Sequence, residues 1–319
     1  MKIQKYLTAI LLLTTSAFGA DKTVVRLGHF PNITHVQGVV AHALSRQGKG
    51  WFEQRLGENV EVQWFIYNAG PSAMEAIFAN SIDATYVGPS PALNAYSKSR
   101  GEEVRILANA ANGGAALVVQ PDANLQAPAD FRGKKIATPQ LGNTQDVSCR
   151  AWLTAGGLKI TQLGGDAQIV PTQNPDQLSL FQQKKMDAVW TVEPWVSRLE
   201  LEAGGKVLVD EKEANTTVLV SSVKFLHDQP ELAKKLNAAH RELTDWILKN
   251  PEEAQKLVQA ELSEEMKKEM SADLIKHAWP RIVLTNDIAR ESLEKFVANA
   301  KAAGFLREVP ELSRLLPQP

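Results

Sequence analysis

Asp83-Ala84-Thr85-Tyr86-Val87-Gly88-Pro89-Ser90-Pro91 is the stretch that decides the fold. Its first part is apolar and β-prone, and Gly88 ends it. Ser90 and Pro91 then open a helix: serine is favoured at its edge, and proline's fixed φ and missing N–H suit the first turn. A strand that passes through a tight polar loop into a helix is the repeating step of a layered α/β structure.

Outward from that step the alternation recurs. Strands are expected at 24–28, 60–67, 84–87 and 104–108, with helices at 36–47, 72–79 and 91–100. Asn112-Gly113-Gly114 follows as a pivot, because paired glycines free the backbone. A second series places strands at 116–120, 135–138, 168–171, 188–190 and 206–209, and helices at 144–155, 174–184 and 194–203. Each series predicts a mostly parallel sheet covered by helices. Beyond a β-branched strand at 216–221 the chain turns helical, at 231–249, 252–259, 264–277 and 287–303. The expected organisation is a first lobe begun at 23–110, a second at 111–215, and the first completed at 216–319 with C-terminal helices. Crossings near 110–114 and 215–221 would form a hinge that lets the lobes close.

Residues 1–19 read as a secretory signal peptide: Lys2 and Lys5, an apolar core, then the small residues Ala17, Gly19 and Ala20. Cleavage is expected after Gly19 or Ala20, and the apolar core is about half the roughly 20 residues a membrane span requires. Without a cysteine at that point there is no lipid anchor, so a soluble, periplasmic, monomeric protein is expected. Removing the two lysines leaves 33 basic against 36 acidic residues, a net charge of −3 that offers nothing to nucleic acid. With Cys149 as the sole cysteine, stability must come from a packed core, and Cys149 itself reads as a buried apolar residue.

Binding chemistry is expected in the loops beyond the carboxyl ends of the strands. Four junctions are small and polar: Gly28 to His35, Asn68-Ala69-Gly70-Pro71-Ser72, Gly88-Pro89-Ser90-Pro91, and Pro139 to Asp146. The first amides of a helix lack intrahelical partners and carry partial positive charge, so each junction suits an anion. Ser72, Ser90 and Thr144 can add hydroxyls. Any one junction alone reads as a helix cap; four on matching edges of two lobes read as a site. Val192-Glu193-Pro194-Trp195 adds a flat apolar wall at Trp195 and a carboxylate at Glu193 that could receive an ammonium or brace a loop, while Phe30 and Trp64 could add aromatic surface or belong to the core.

His29-Phe30-Pro31, Asn68 to Ser72, Asp83 to Pro91, Gly133-Lys134-Lys135-Ile136-Ala137-Thr138, Leu141 to Asp146 and Glu193-Pro194-Trp195 occur in an order that resembles the nitrate, sulfonate, taurine and bicarbonate branch of ABC-transporter solute-binding proteins. The resemblance covers 23–210; the helical tail fits only in kind. It implies a two-lobed type II periplasmic-binding-protein fold that closes on a small oxyanion and docks on an ABC permease in the inner membrane. It also implies ligand contacts from Asn32, Thr34 and His35, Pro89 and Ser90, Gly142, Asn143, Thr144 and Gln145, and Glu193 with Trp195. A sulfonate head would sit between the starts at Ser90 and Thr144 with its tail toward Phe30 and Trp195. His35 and Glu193 would suit a second, cationic group, as in taurine.

Enzymatic readings find little to stand on. Ser221-Ser222-Val223-Lys224 matches a Ser-x-x-Lys spacing without its companion motifs, and Gly88-Pro89-Ser90-Pro91-Ala92 lacks the last glycine of a nucleophile elbow. No phosphate loop or dinucleotide fingerprint occurs, so no cofactor is expected. The histidines are His29, His35, His42, His227, His240 and His277. His35 and His42 could share a helix face, but no metal-binding spacing links the six, so packing or surface roles are expected.

Overall fold

The computed structural model describes residues 22–309 and 311–316; the expected signal peptide lies outside the described residues. In chain order the strands are β1 (Thr23–His29), β2 (Val60–Ile66), β3 (Ala84–Val87), β4 (Val104–Gly113), β5 (Ala115–Val119), β6 (Lys135–Thr138), β7 (Ile160–Thr161), β8 (Gly164–Gly165), β9 (Gln168–Pro171), β10 (Ala188–Val192), β11 (Lys206–Asp210), β12 (Asn215–Ser222) and β13 (Ile282–Leu284). The helices are α1 (Val36–Arg46), α2 (Trp51–Leu56), α3 (Gly70–Phe78), α4 (Pro89–Lys98), α5 (Thr144–Ala155), α6 (Asn174–Gln182), α7 (Trp195–Ala203), α8 (Val223–Asp228), α9 (Pro230–Lys249), α10 (Pro251–Glu265), α11 (Ala272–Ala278) and α12 (Arg290–Ala302).

One sheet runs β13-β4-β12-β3-β1-β2 and the other β11-β5-β10-β6-β9. Most strands in each run the same way, as expected: β1, β2, β3 and β4 in the first, against β12 and β13, and β6, β9, β10 and β11 in the second, against β5 alone. β1 runs parallel to β2 and β3, but β12 is antiparallel to both β3 and β4, and β5 is antiparallel to β10 and β11. Strands covered on both faces are apolar whichever way they run, so direction leaves no trace in their hydrophobic pattern. β3, β5 and β10 are buried along their whole lengths. Leu27, Val40 and Leu243 belong to the core on one face of the first sheet, and Ile77, Val87 and Leu93 to that on the other; Leu153 and Phe181 lie in the two cores flanking the second.

The chain leaves the first sheet at Gly113-Gly114, both at positive φ (73° and 70°), and returns between Asp210 and Asn215. Gly113 is required twice over, since an added Cβ would also sit 2.4 Å from the Arg281 carbonyl oxygen. The tail departs from expectation at 264–277. α10 ends at Glu265, Lys267 takes φ 50°, and Ser271 caps a separate α11 by accepting a hydrogen bond from the Leu274 amide. Among the described residues no helix is long and apolar enough to cross a membrane.

Candidate ligand-binding site

The starts of α3, α4, α5 and α6 and the short 3-10 turn Ile33–His35 converge on a cavity of about 20 Å³, room for one or two waters or a small head group. Phe30, Asn32, Thr34, His35, Asn143, Thr144 and Gln145 line it, joined by Asn68, Gly70, Gly88, Asn174 and Thr216. Pro89, Ser90, Gly142, Glu193 and Trp195 are not among its lining residues.

The α5 start is held rigid by a buried ion pair. Asp146 accepts from Thr138 Oγ1 (2.9 Å), the Gly142 amide (2.9 Å) and Arg150 Nε (3.0 Å), while Asn143 caps the helix by accepting from the Asp146 amide at 2.8 Å. The Ser90 amide donates to Thr144 Oγ1 at 3.4 Å, so the α4 and α5 starts meet directly across the cavity. Only glycine permits this approach at 88, where a Cβ would stand 2.2 Å from Thr144 Oγ1. Other contacts from one sheet's loops to the other's are Ile33 N–H to the Glu193 carbonyl (3.0 Å) and Trp195 Nε1–H to Asn32 Oδ1 (3.2 Å).

Among the described residues no lysine, arginine, aspartate or glutamate lines the cavity. Its polarity comes from amides, hydroxyls and helix starts. Asn32 Oδ1 is occupied by Trp195 and Asn174, and Gln145 Oε1 accepts from Asn143, so both side chains present their NH₂ groups as donors. Thr34 Oγ1 is buried with no hydrogen-bond partner, as is Ser90 Oγ. Such neutral, preoriented donors suit an oxyanion and give a cation no counter-charge.

His35 is fully buried, and desolvation, aided by His29 and opposed by Glu265, holds it well below the usual imidazole range. Its Nδ1 accepts from the Phe30 amide at 3.4 Å, so the neutral ring carries its proton on Nε2. Anion affinity should therefore stay flat between about pH 6 and pH 8. Calorimetry that found tighter binding at the acidic end would show that His35 charges.

Glu193 is occupied elsewhere. Its Oε1 accepts from Ser197 Oγ (2.8 Å) and Arg281 Nη1 (2.8 Å), and its Oε2 from the Ser197 amide (3.0 Å). Of the two roles the sequence allows, the side chain performs the brace. Trp195 faces a second, larger chamber of about 290 Å³ with Arg198 and Met266; this chamber shares Asn32, Asn68 and Asn174 with the inner cavity. Arg198 lies over the Trp195 ring, its Cζ 4.9 Å from the centroid.

A family model described as the NMT1-like family matches residues 19–263. The chain belongs to the NMT1-like family. A Bacillus subtilis relative provisionally named an aliphatic sulfonates-binding protein is 23% identical over 273 residues, spanning 81% of this chain and 77% of its own. The alkanesulfonate-binding protein of Xanthomonas axonopodis pv. citri, solved with MOPS bound, superposes with TM-score 0.72 at 16% identity over 93% of this chain and 99% of its own. The periplasmic nitrate-binding protein of Synechocystis PCC 6803 does so with TM-score 0.69 at 16% identity, over 90% and 83%. The fold is thus that of the periplasmic binding proteins, and the solved proteins that the NMT1-like chain resembles include a sulfonate binder and a nitrate binder.

The NMT1-like cavity includes residues that the sequence reading passed over. Asn174 opens α6 in an Asn-Pro pair after β9, the same strand-to-helix signal used for the other junctions, and could have been found by it. Thr216 sits in β12, where its hydroxyl donates to the Gly113 carbonyl, and nothing local distinguishes it from a core threonine.

Proposed function

We propose that this protein is the solute-binding component of an ABC importer, exported to the periplasm, which captures a small oxyanion and presents it to an inner-membrane permease. The observation that carries the reading is the charge-free cavity at converging helix starts, with donors such as Thr34 Oγ1 lacking a partner of their own. An organic sulfonate fits best: the head in the inner cavity, the tail passing Asn32, Asn68 and Asn174 toward Trp195 in the outer chamber. Taurine fits less well, because Glu193 is committed to Arg281 and Ser197 and has nothing left for an ammonium. The small inner volume favours nitrate or bicarbonate as a second reading.

Cys149 is buried and outside the cavity, and burial pushes its thiol well above the ordinary range, away from the reactive thiolate.

Thermal melts of the mature protein with alkanesulfonates, taurine, nitrate and bicarbonate test the proposal, since a ligand at a hundred times its Kd stabilises by about 2.7 kcal/mol. No shift with any of them rejects the oxyanion. Thr144→Ala should weaken every anion by about 1–2 kcal/mol, whereas Trp195→Ala should weaken long-tailed sulfonates and spare nitrate. Equal losses for both ligand types in Trp195→Ala would place the tail elsewhere.

A further inference from the structure

Behind the cleft, His29 at the end of β1, His42 on α1 and Glu265 at the end of α10 bring three ligand atoms together. His29 Nε2 lies 3.0 Å from His42 Nδ1, and each lies 3.1 Å from Glu265 Oε1. Glu261 Oε1 is 3.0 Å from His42 Nδ1 and is held by Arg46 Nε at 2.8 Å. The side chains of His29 and Glu265 are fully buried, and that of His42 is 10% exposed, which leaves one route in from solvent.

With both imidazoles neutral, hydrogen bonding among these groups does not balance. His29 Nδ1 sits 3.1 Å from the Phe30 carbonyl oxygen, which can only accept, so a neutral ring keeps its proton there and turns the Nε2 lone pair inward. His42 Nδ1 has at most one proton, yet it faces His29 Nε2, Glu265 Oε1 and Glu261 Oε1. Glu265 Oε2 is buried with no partner at all. Acceptors outnumber protons in a desolvated pocket, an arrangement that a cation would satisfy.

The spacing fits one. A triangle with sides of 3.0 and 3.1 Å leaves a point about 2.1 Å from all three atoms, roughly 1 Å off their plane, which matches zinc–imidazole and zinc–carboxylate bonds. The Phe30 carbonyl on His29 Nδ1 is the kind of outer contact that fixes the tautomer of a ligating histidine. We propose that His29, His42 and Glu265 form a site for a divalent transition-metal ion such as zinc, which pins α10 to β1 and α1. Because Phe30 follows His29 directly, a bound ion would also steady the Phe30–His35 turn of the anion cavity from behind.

The test uses zinc chloride on chelator-stripped mature protein without any oxyanion, so its outcome is independent of the transport reading. Native mass spectrometry and calorimetry should find one zinc per chain. His42→Gln and Glu265→Gln should each weaken it by about a hundredfold or more, while His227→Ala, at an exposed histidine outside the cluster, should change nothing. Trp64 stacks on His42 at 5.3 Å and meets His29 edge-on at 5.5 Å, so a zinc-dependent fluorescence change lost in Trp64→Phe would support the location. Absence of zinc uptake, or variants that bind as tightly as the parent, overturns the proposal. Should the variants fail to fold, anomalous scattering from zinc-soaked parent crystals decides: a peak among the three side chains supports the site, and a peak elsewhere or none rejects it.

Discussion

Gly88→Ala is expected to weaken anion binding about thirtyfold, roughly 2 kcal/mol, with a smaller fall in the melting temperature of the ligand-free protein. Gly88 has φ −68° and ψ 152°, which alanine adopts freely, so the backbone gives no reason for instability. The obstacle is space. The new methyl would lie 2.2 Å from Thr144 Oγ1 and 3.2 Å from its Cβ, so the hydroxyl must swing away and the α4 and α5 starts must move apart. Both changes fall on the anion's surroundings: one donor–acceptor group is displaced, and the two halves of the cradle no longer meet. Calorimetry beside a melting curve separates the two effects. Full affinity in Gly88→Ala would mean that the contact between these helix starts is irrelevant to binding.

The second large effect is on stability. Arg281→Ala should cost about 3–5 kcal/mol, lowering Tm by on the order of 10 °C, because it leaves the fully buried Glu193 without its cation. Burial raises the Glu193 pKa, and the hydrogen bonds from Ser197 and Arg281 pull it down. Without Arg281 the folded pKa rises further above the unfolded value. A group in that position contributes stability at low pH and loses it as pH rises through the folded pKa. The Tm deficit of the variant should therefore be larger at pH 8 than at pH 5, and Glu193→Gln added to Arg281→Ala should remove that difference. A deficit that is constant with pH would show that the loss is one of packing alone.

The strand-to-helix junctions were legible because their chemistry is local: glycine, proline and a hydroxyl residue in order leave one way for the chain to turn. The helix-start donors of the inner cavity follow from the same pattern. What escaped depends on distance along the chain. Arg281 is 88 residues from Glu193, and Glu265 is 223 from His42, so neither the brace nor the histidine–carboxylate cluster could be inferred from spacing. His35 and His42 invited comparison because they are near in sequence, yet His42 meets His29 and Glu265 while His35 stacks on Phe30 with ring centroids 4.2 Å apart. Strand direction in β12 was hidden for a different reason: the strand is buried from end to end, and its pattern of polar ends around Val218-Leu219-Val220 reads the same in either orientation.

The donors without partners bear on delivery as well as capture. Shutting the cradle around nothing strands Thr34 Oγ1, a lining hydroxyl, away from water, at about 1–3 kcal/mol. Under the transport reading, an anion removes that penalty, so the shut form is populated chiefly when loaded. A membrane partner that engages only the shut form would then rarely be occupied by empty carriers, and the check on cargo would reside in a side-chain hydroxyl.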